Sequence, residues 1–82
     1  MVEKVKPSRK LLEKWVREDE EFRVIRRRMA NWDYIMKQPP RVRLALMVYI
    51  ETGDIYRAAR IAGLSIDEFN DVRIKASIPH IT

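Results

Sequence analysis

Residues Gly53 to Ser77 read G-D-I-Y-R-A-A-R-I-A-G-L-S-I-D-E-F-N-D-V-R-I-K-A-S, and this stretch decides the fold. It predicts two short helices joined by a turn at Gly63-Leu64-Ser65. Asp54 is a good N-cap for the first helix, and Ile55, Ala58, Ala59 and Ala62 share its inner face. The small Ala59 lets the second helix approach. Gly63 supplies the left-handed backbone that reverses the chain, while Leu64 and Phe69 fill the space between the helices. Ser65 and Glu68 form an S-x-x-E capping box at the start of the second helix, which buries Phe69, Val72 and Ala76. The spacing is that of a helix-turn-helix, a motif commonly used to read DNA.

Upstream, residues 41–51 read R-V-R-L-A-L-M-V-Y-I-E. Val42, Leu44, Leu46, Val48 and Ile50 alternate as in a strand. Leu, Ala and Met favour a helix, and Pro40 suits a first helical turn, so a helix is the expectation and a strand the open alternative. A helix apolar nearly all round would be the central element of a small bundle. Gly53 closes this segment as a helix C-terminus.

The N-terminal part is expected to hold two further helices. Residues 1–7 read as a basic tail ending at Pro7. Ser8 caps a helix carrying Leu11, Leu12, Trp15 and Val16 at helical spacing. The run Glu18-Asp19-Glu20-Glu21 interrupts that stripe. A break is expected near Asp19, because carboxylates favour the first turn of a new helix. Phe22, Ile25, Met29, Trp32 and Met36 then recur in heptad fashion up to Gln38-Pro39-Pro40. That stripe suits packing inside one bundle, or a short coiled-coil dimer.

The expected architecture is therefore all-α: a small bundle of about five helices with a C-terminal helix-turn-helix, in a single domain spanning 1–82. Its parts are a tail (1–7), basic N-terminal helices (8–38), a central helix plus helix-turn-helix (41–77) and a short extended tail (78–82). A chain of 82 residues buries a marginal core alone, so a homo-oligomer is expected. Charged residues make up 35% of the chain, well above average, with no Cys and few Asn or Gln. This composition suits a thermophile's cytoplasmic protein. It also excludes disulfides and thiolate metal sites. No apolar run is long enough to span a bilayer, and the N-terminus lacks the apolar region of a signal peptide, so no membrane partner is expected. The net charge of +5 is unevenly placed: residues 1–43 hold 13 Lys/Arg against 7 Asp/Glu, and residues 44–82 hold 4 against 5.

Nothing in the sequence points to an enzyme. His80 has no partner at a metal-ligand spacing and reads as a solvent-exposed bystander. There is no phosphate-binding glycine loop or nucleophile elbow, and no cofactor or metal is expected. On the second helix of the hairpin the groove-facing positions would be Ser65, Ile66, Asp67, Asn70, Asp71 and Ile74. Carboxylates facing phosphates are repulsive, which argues against a strong DNA reader. The DNA-binding candidates are Arg57, Arg60, Ser65, Asn70, Arg73 and Lys75. The partner-binding candidates are Ile66 and Ile74, together with Arg23, Arg26 and Arg27, which share one helical face and could grip anions. The bland alternatives are burial for the two isoleucines and solvated pairs with Glu20, Glu21 and Asp33 for the arginines.

The segment from Leu44 to Phe69, closing with Ala76-Ser77-Ile78-Pro79, resembles a family of small archaeal and bacterial proteins regarded as helix-turn-helix antitoxins of toxin–antitoxin pairs. Tyr49, Gly53, Ala58, Ala59, Ala62, Gly63, Leu64, Ser65, Glu68, Phe69, Ile78 and Pro79 fit its pattern. Ser77 stands where that pattern has Gly, and residues 1–38 lie outside the resemblance. The resemblance implies a non-enzymatic regulator that binds a protein partner, such as a ribonuclease toxin with a carboxylate-ringed active site, with binding to its own operator DNA as a secondary role. Arg23, Arg26 and Arg27 are the group that would enter such a site. A direct transcription factor and a protein-interaction module with neither DNA nor toxin are the alternatives.

Overall fold

The computed structural model describes residues 8–81, so the expected tail at 1–7 and Thr82 lie outside the described residues. Five α-helices pack together: α1 (Arg9–Met29), α2 (Trp32–Met36), α3 (Pro40–Thr52), α4 (Ile55–Ala62) and α5 (Ile66–Lys75). The open question at 41–51 is settled as a helix. Its buried side chains, Ala45, Leu46, Tyr49 and Ile50, follow helical spacing, and the alternating pattern is spread around the helix, with Leu44 in water and Leu46 inside.

The core forms where α3, α4 and α5 meet. Ala58, Ala59 and Ala62 bring α4 close, and Phe69 of α5 lies edge-on to Tyr49 of α3 with ring centroids 5.9 Å apart. Gly53 and Gly63 end α3 and α4 in the left-handed region, at φ 69° and 70°. The Ser65–Glu68 capping box is complete, with Ser65 Oγ accepting from Glu68 N at 3.1 Å and Glu68 Oε1 from Ser65 N at 3.0 Å. The segment after α5 is more than a loose tail. Ile78 is buried, Asn31 N donates to Ala76 O at 2.7 Å, and Arg73 Nη1 donates to Ile78 O at 2.7 Å. The C-terminal segment thus ties α5 back to the α1–α2 junction.

Two expectations for the N-terminal part are corrected. No break occurs near Asp19: α1 is one helix of 21 residues. The acidic run contains neither Gly nor Pro, and it lies on exposed or half-exposed positions where water solvates the carboxylates. The break falls at Ala30-Asn31 instead, where Asn31 Oδ1 accepts from Tyr34 N and Trp32 Nε1 donates to Arg27 O. The expected heptad stripe is therefore split between two helices. Ile25, Met29, Trp32 and Met36 are exposed, while Arg26, Ala30 and Ile35 take the inward positions.

α1 runs well beyond the core. The radius of gyration is 15.2 Å, against about 12 Å for a compact chain of this length, and the long dimension reaches 49 Å. Only the second half of α1 packs on the other helices, beside the C-terminus of α3. The first half is an arm.

Candidate partner-binding surface

The arginine cluster on α1 is turned largely to internal use. Arg26 is 6% exposed, and its Nε donates to the Ile50 carbonyl at 2.8 Å. Its guanidinium lies over Gly53, where an added Cβ would sit 3.2 Å from Nη1. Ile50 is in the last turn of α3, so Arg26 caps a helix whose final carbonyls lack intrahelical donors. Burial lowers the Arg26 pKa; Tyr49, then Asp19 and Glu51 oppose that shift, while the like charge of Arg23 adds to it. Arg27 and Arg23 both turn to Glu51, at 2.6 Å and 3.7 Å. The bland alternative named Glu20, Glu21 and Asp33 as partners of these arginines; the carboxylate they reach is Glu51, brought there by the fold.

The same device recurs one helix on. Arg41 Nε donates to the Ile61 carbonyl at 2.7 Å, with its guanidinium over Gly63. Two helix C-termini, each closed by a left-handed glycine, are thus covered by an arginine from another helix earlier in the chain.

The candidates on the hairpin divide in two. Asn70 Oδ1 accepts from both Nε and Nη2 of Arg73, at 3.0 and 2.8 Å, and Arg73 also holds Ile78 O. Ser65 is occupied as a cap. Those three side chains serve the fold, which leaves Arg57, Arg60 and Lys75 exposed. Ile66 and Ile74, for which burial was the bland alternative, are both exposed, and Ile74 is 58% so. With Asn70 between them at four-residue steps they make an aliphatic stripe on α5, beside the exposed Asp67 and Asp71.

Among the described residues, the arm carries a run of large apolar side chains without a packing partner. Leu11, Leu12, Trp15 and Val16 are all exposed. At 100° per residue they centre on the side of α1 that carries Asp19, Phe22, Arg23, Arg26 and Ala30 where the helix packs on the bundle. The arm therefore continues the packing face of α1 past the end of the core, with none of the described residues packed beneath it. Arg9–Glu13 and Lys14–Glu18 ion pairs, at 3.4 and 3.9 Å, brace the helix along its polar side. Contiguous exposed apolar patches of this kind mark interaction sites.

A cleft of about 470 Å³ lies between α1 and the end of α3, lined by Asp19, Phe22, Arg23, Arg26, Glu51, Thr52, Gly53 and Ile81. Its charges are balanced, two guanidinium groups against two carboxylates. Arg23 Nε is buried there without a hydrogen bond. His80 is exposed, as expected, but is not idle: its Nδ1 lies 3.2 Å from the hydroxyl of the buried Tyr49. Among the described residues no group of three or more His, Cys, Asp or Glu is placed to hold a metal ion, and no helix is long and apolar enough to cross a membrane. No protein-family model, curated protein or solved structure matches the chain.

Proposed function

We propose that the protein is a non-enzymatic, antitoxin-like regulator that captures a protein partner on its α1 arm and acts in the cytoplasm. The observation that carries this reading is the arm itself. Four large apolar side chains, Trp15 among them, stand in water on a face that packs elsewhere along the same helix. Trp is the residue most enriched at energetic centres of interfaces, and a rigid amphipathic helix suits a hydrophobic groove. The antitoxin class enters through the resemblance at residues 44–79, which makes a nuclease toxin the partner class.

Operator binding is a secondary role in this reading. Asn70, Arg73 and Ser65 are engaged within the fold, so Arg57, Arg60 and Lys75 are the contacts left for phosphates. Three such contacts give modest, salt-sensitive affinity.

The test is co-purification with the product of the adjacent gene. Wild-type chain retains it and Trp15→Glu releases it, with unchanged helical circular dichroism. Retention by Trp15→Glu sinks the arm as the capture site. Fluorescence anisotropy on the upstream DNA decides the secondary role: no binding at low salt ends it.

A further inference from the structure

We infer that the cleft between α1 and the end of α3 is a binding site for a small zwitterion, an α-amino acid with an apolar side chain. The site lies apart from the arm and does not depend on partner capture there.

The cleft encloses about 470 Å³, a volume within the range of small-molecule sites. Three of its side chains, Asp19, Arg23 and Arg26, follow one another at steps of four and three along one face of α1. Each keeps polar capacity that the fold leaves unused. Arg23 Nε is buried without a hydrogen bond, since Glu51 Oε2 stands 3.7 Å away. Arg26 is 6% exposed and commits its Nε to the Ile50 carbonyl, while its Nη groups make no hydrogen bond among the described residues. Asp19 forms no ion pair among the described residues. The remaining polar side chains are occupied: Glu51 holds Arg27 at 2.6 Å, and the Thr52 hydroxyl donates to Val48 O at 2.8 Å. Phe22 and Ile81, both half-buried, supply an apolar wall.

These groups select their ligand. An uncharged apolar molecule would cover the guanidinium donors without bonding them, which is unfavourable. A polyanion such as a nucleotide would set its charge against Asp19 and Glu51. A molecule with one anion and one cation joined through a single carbon meets both needs. Its carboxylate takes the Nη donors of Arg26 and the Nε of Arg23. Its ammonium reaches Asp19, one helical turn from Arg23, and its side chain lies on Phe22 and Ile81.

Chemical-shift titration of the isotope-labelled wild-type chain tests this, with L-leucine and L-phenylalanine as probes and the amides of Thr52 and Gly53 reporting on the cleft. At least one of the two should bind saturably at about 1 mM or tighter. Its N-acetyl derivative, which lacks the ammonium, and its amide, which lacks the carboxylate, should each bind at least about tenfold more weakly. Two variants outside the core assign the ends. Asp19→Asn should weaken the free amino acid and leave its N-acetyl derivative unchanged, whereas Arg23→Gln should weaken the free amino acid and leave its amide unchanged. Equal weakening of all three ligands by a folded variant shows a merely structural role and overturns the proposal. So does the absence of a saturable shift with either probe up to about 10 mM, or equal affinity for the free amino acid and its two derivatives. The comparison of derivatives on the wild-type chain is decisive even where a variant fails to fold.

Discussion

Replacing Arg26 by Ala should damage the fold far more than replacing either arginine beside it. The guanidinium is buried, its Nε bonds the Ile50 carbonyl at 2.8 Å, and its plane covers Gly53. A hydrogen bond to a charged donor contributes about 1.5–3 kcal/mol, and removing the donor strands the carbonyl of the buried Ile50 near the end of α3. The aliphatic stem adds packing that Ala does not replace. The expected cost is about 2–4 kcal/mol. For a domain of this size each kcal/mol shifts the melting temperature by about 4–8 °C, so thermal unfolding should fall by about 8–32 °C. Arg27→Ala breaks a shorter ion pair, to Glu51 at 2.6 Å, but both partners are about half exposed and screened by water. Its cost should stay below about 1 kcal/mol. Arg26→Met, which keeps the stem and loses the donor, should fall between them. Thermal and denaturant unfolding followed by circular dichroism reads all three. If Arg26→Ala melts within about 0.5 kcal/mol of wild type, or if Arg27→Ala costs as much, the capping account fails.

Three further outcomes follow from the same geometry. Gly63→Ala forces a side chain to φ 70° and places its Cβ 3.3 Å from the Arg41 guanidinium; denaturant midpoints should show a loss of at least about 1 kcal/mol. Glu68 accepts from the Ser65 backbone, which holds its carboxyl below the ordinary value of 4.5. The stability from this depression is present above that value and is lost as pH falls through the lower folded-state value, so Glu68→Gln should flatten the acid limb of a stability–pH curve. Burial raises Tyr49 above its ordinary 10.0, with Arg73 and Arg26 opposing. Its contribution holds below pH 10.0 and is lost as pH rises through the higher folded value. Tyr49→Phe should therefore lose less stability than wild type in alkali.

The C-terminal half was legible because each of its signals is local. Gly53, Asp54, Gly63 and the Ser65–Glu68 box fix helix ends by backbone chemistry that depends on near neighbours. The N-terminal half was not, because its decisive contacts are distant in sequence. Asn31 ends α1 with help from Ala76 O, and nothing near residue 31 announces that bond. Arg26 lay in view as a member of a cluster, but its burial depends on Ile50, 24 residues away. The stripe Leu11, Leu12, Trp15 and Val16 was plain as a periodicity. Its exposure was not, since a period shows which residues share a face but not whether anything covers it.

In the proposed function the arm, and not the arginine cluster, is the binding element. Titration of the purified product of the adjacent gene against three chains tests it: wild type, Trp15→Glu, and the double variant Arg23→Glu/Arg27→Glu. Wild type should bind tightly, Trp15→Glu should lose at least about tenfold, and the double variant should keep near-wild-type affinity once its folding is verified. Binding that survives Trp15→Glu and vanishes with Arg23→Glu/Arg27→Glu would contradict it.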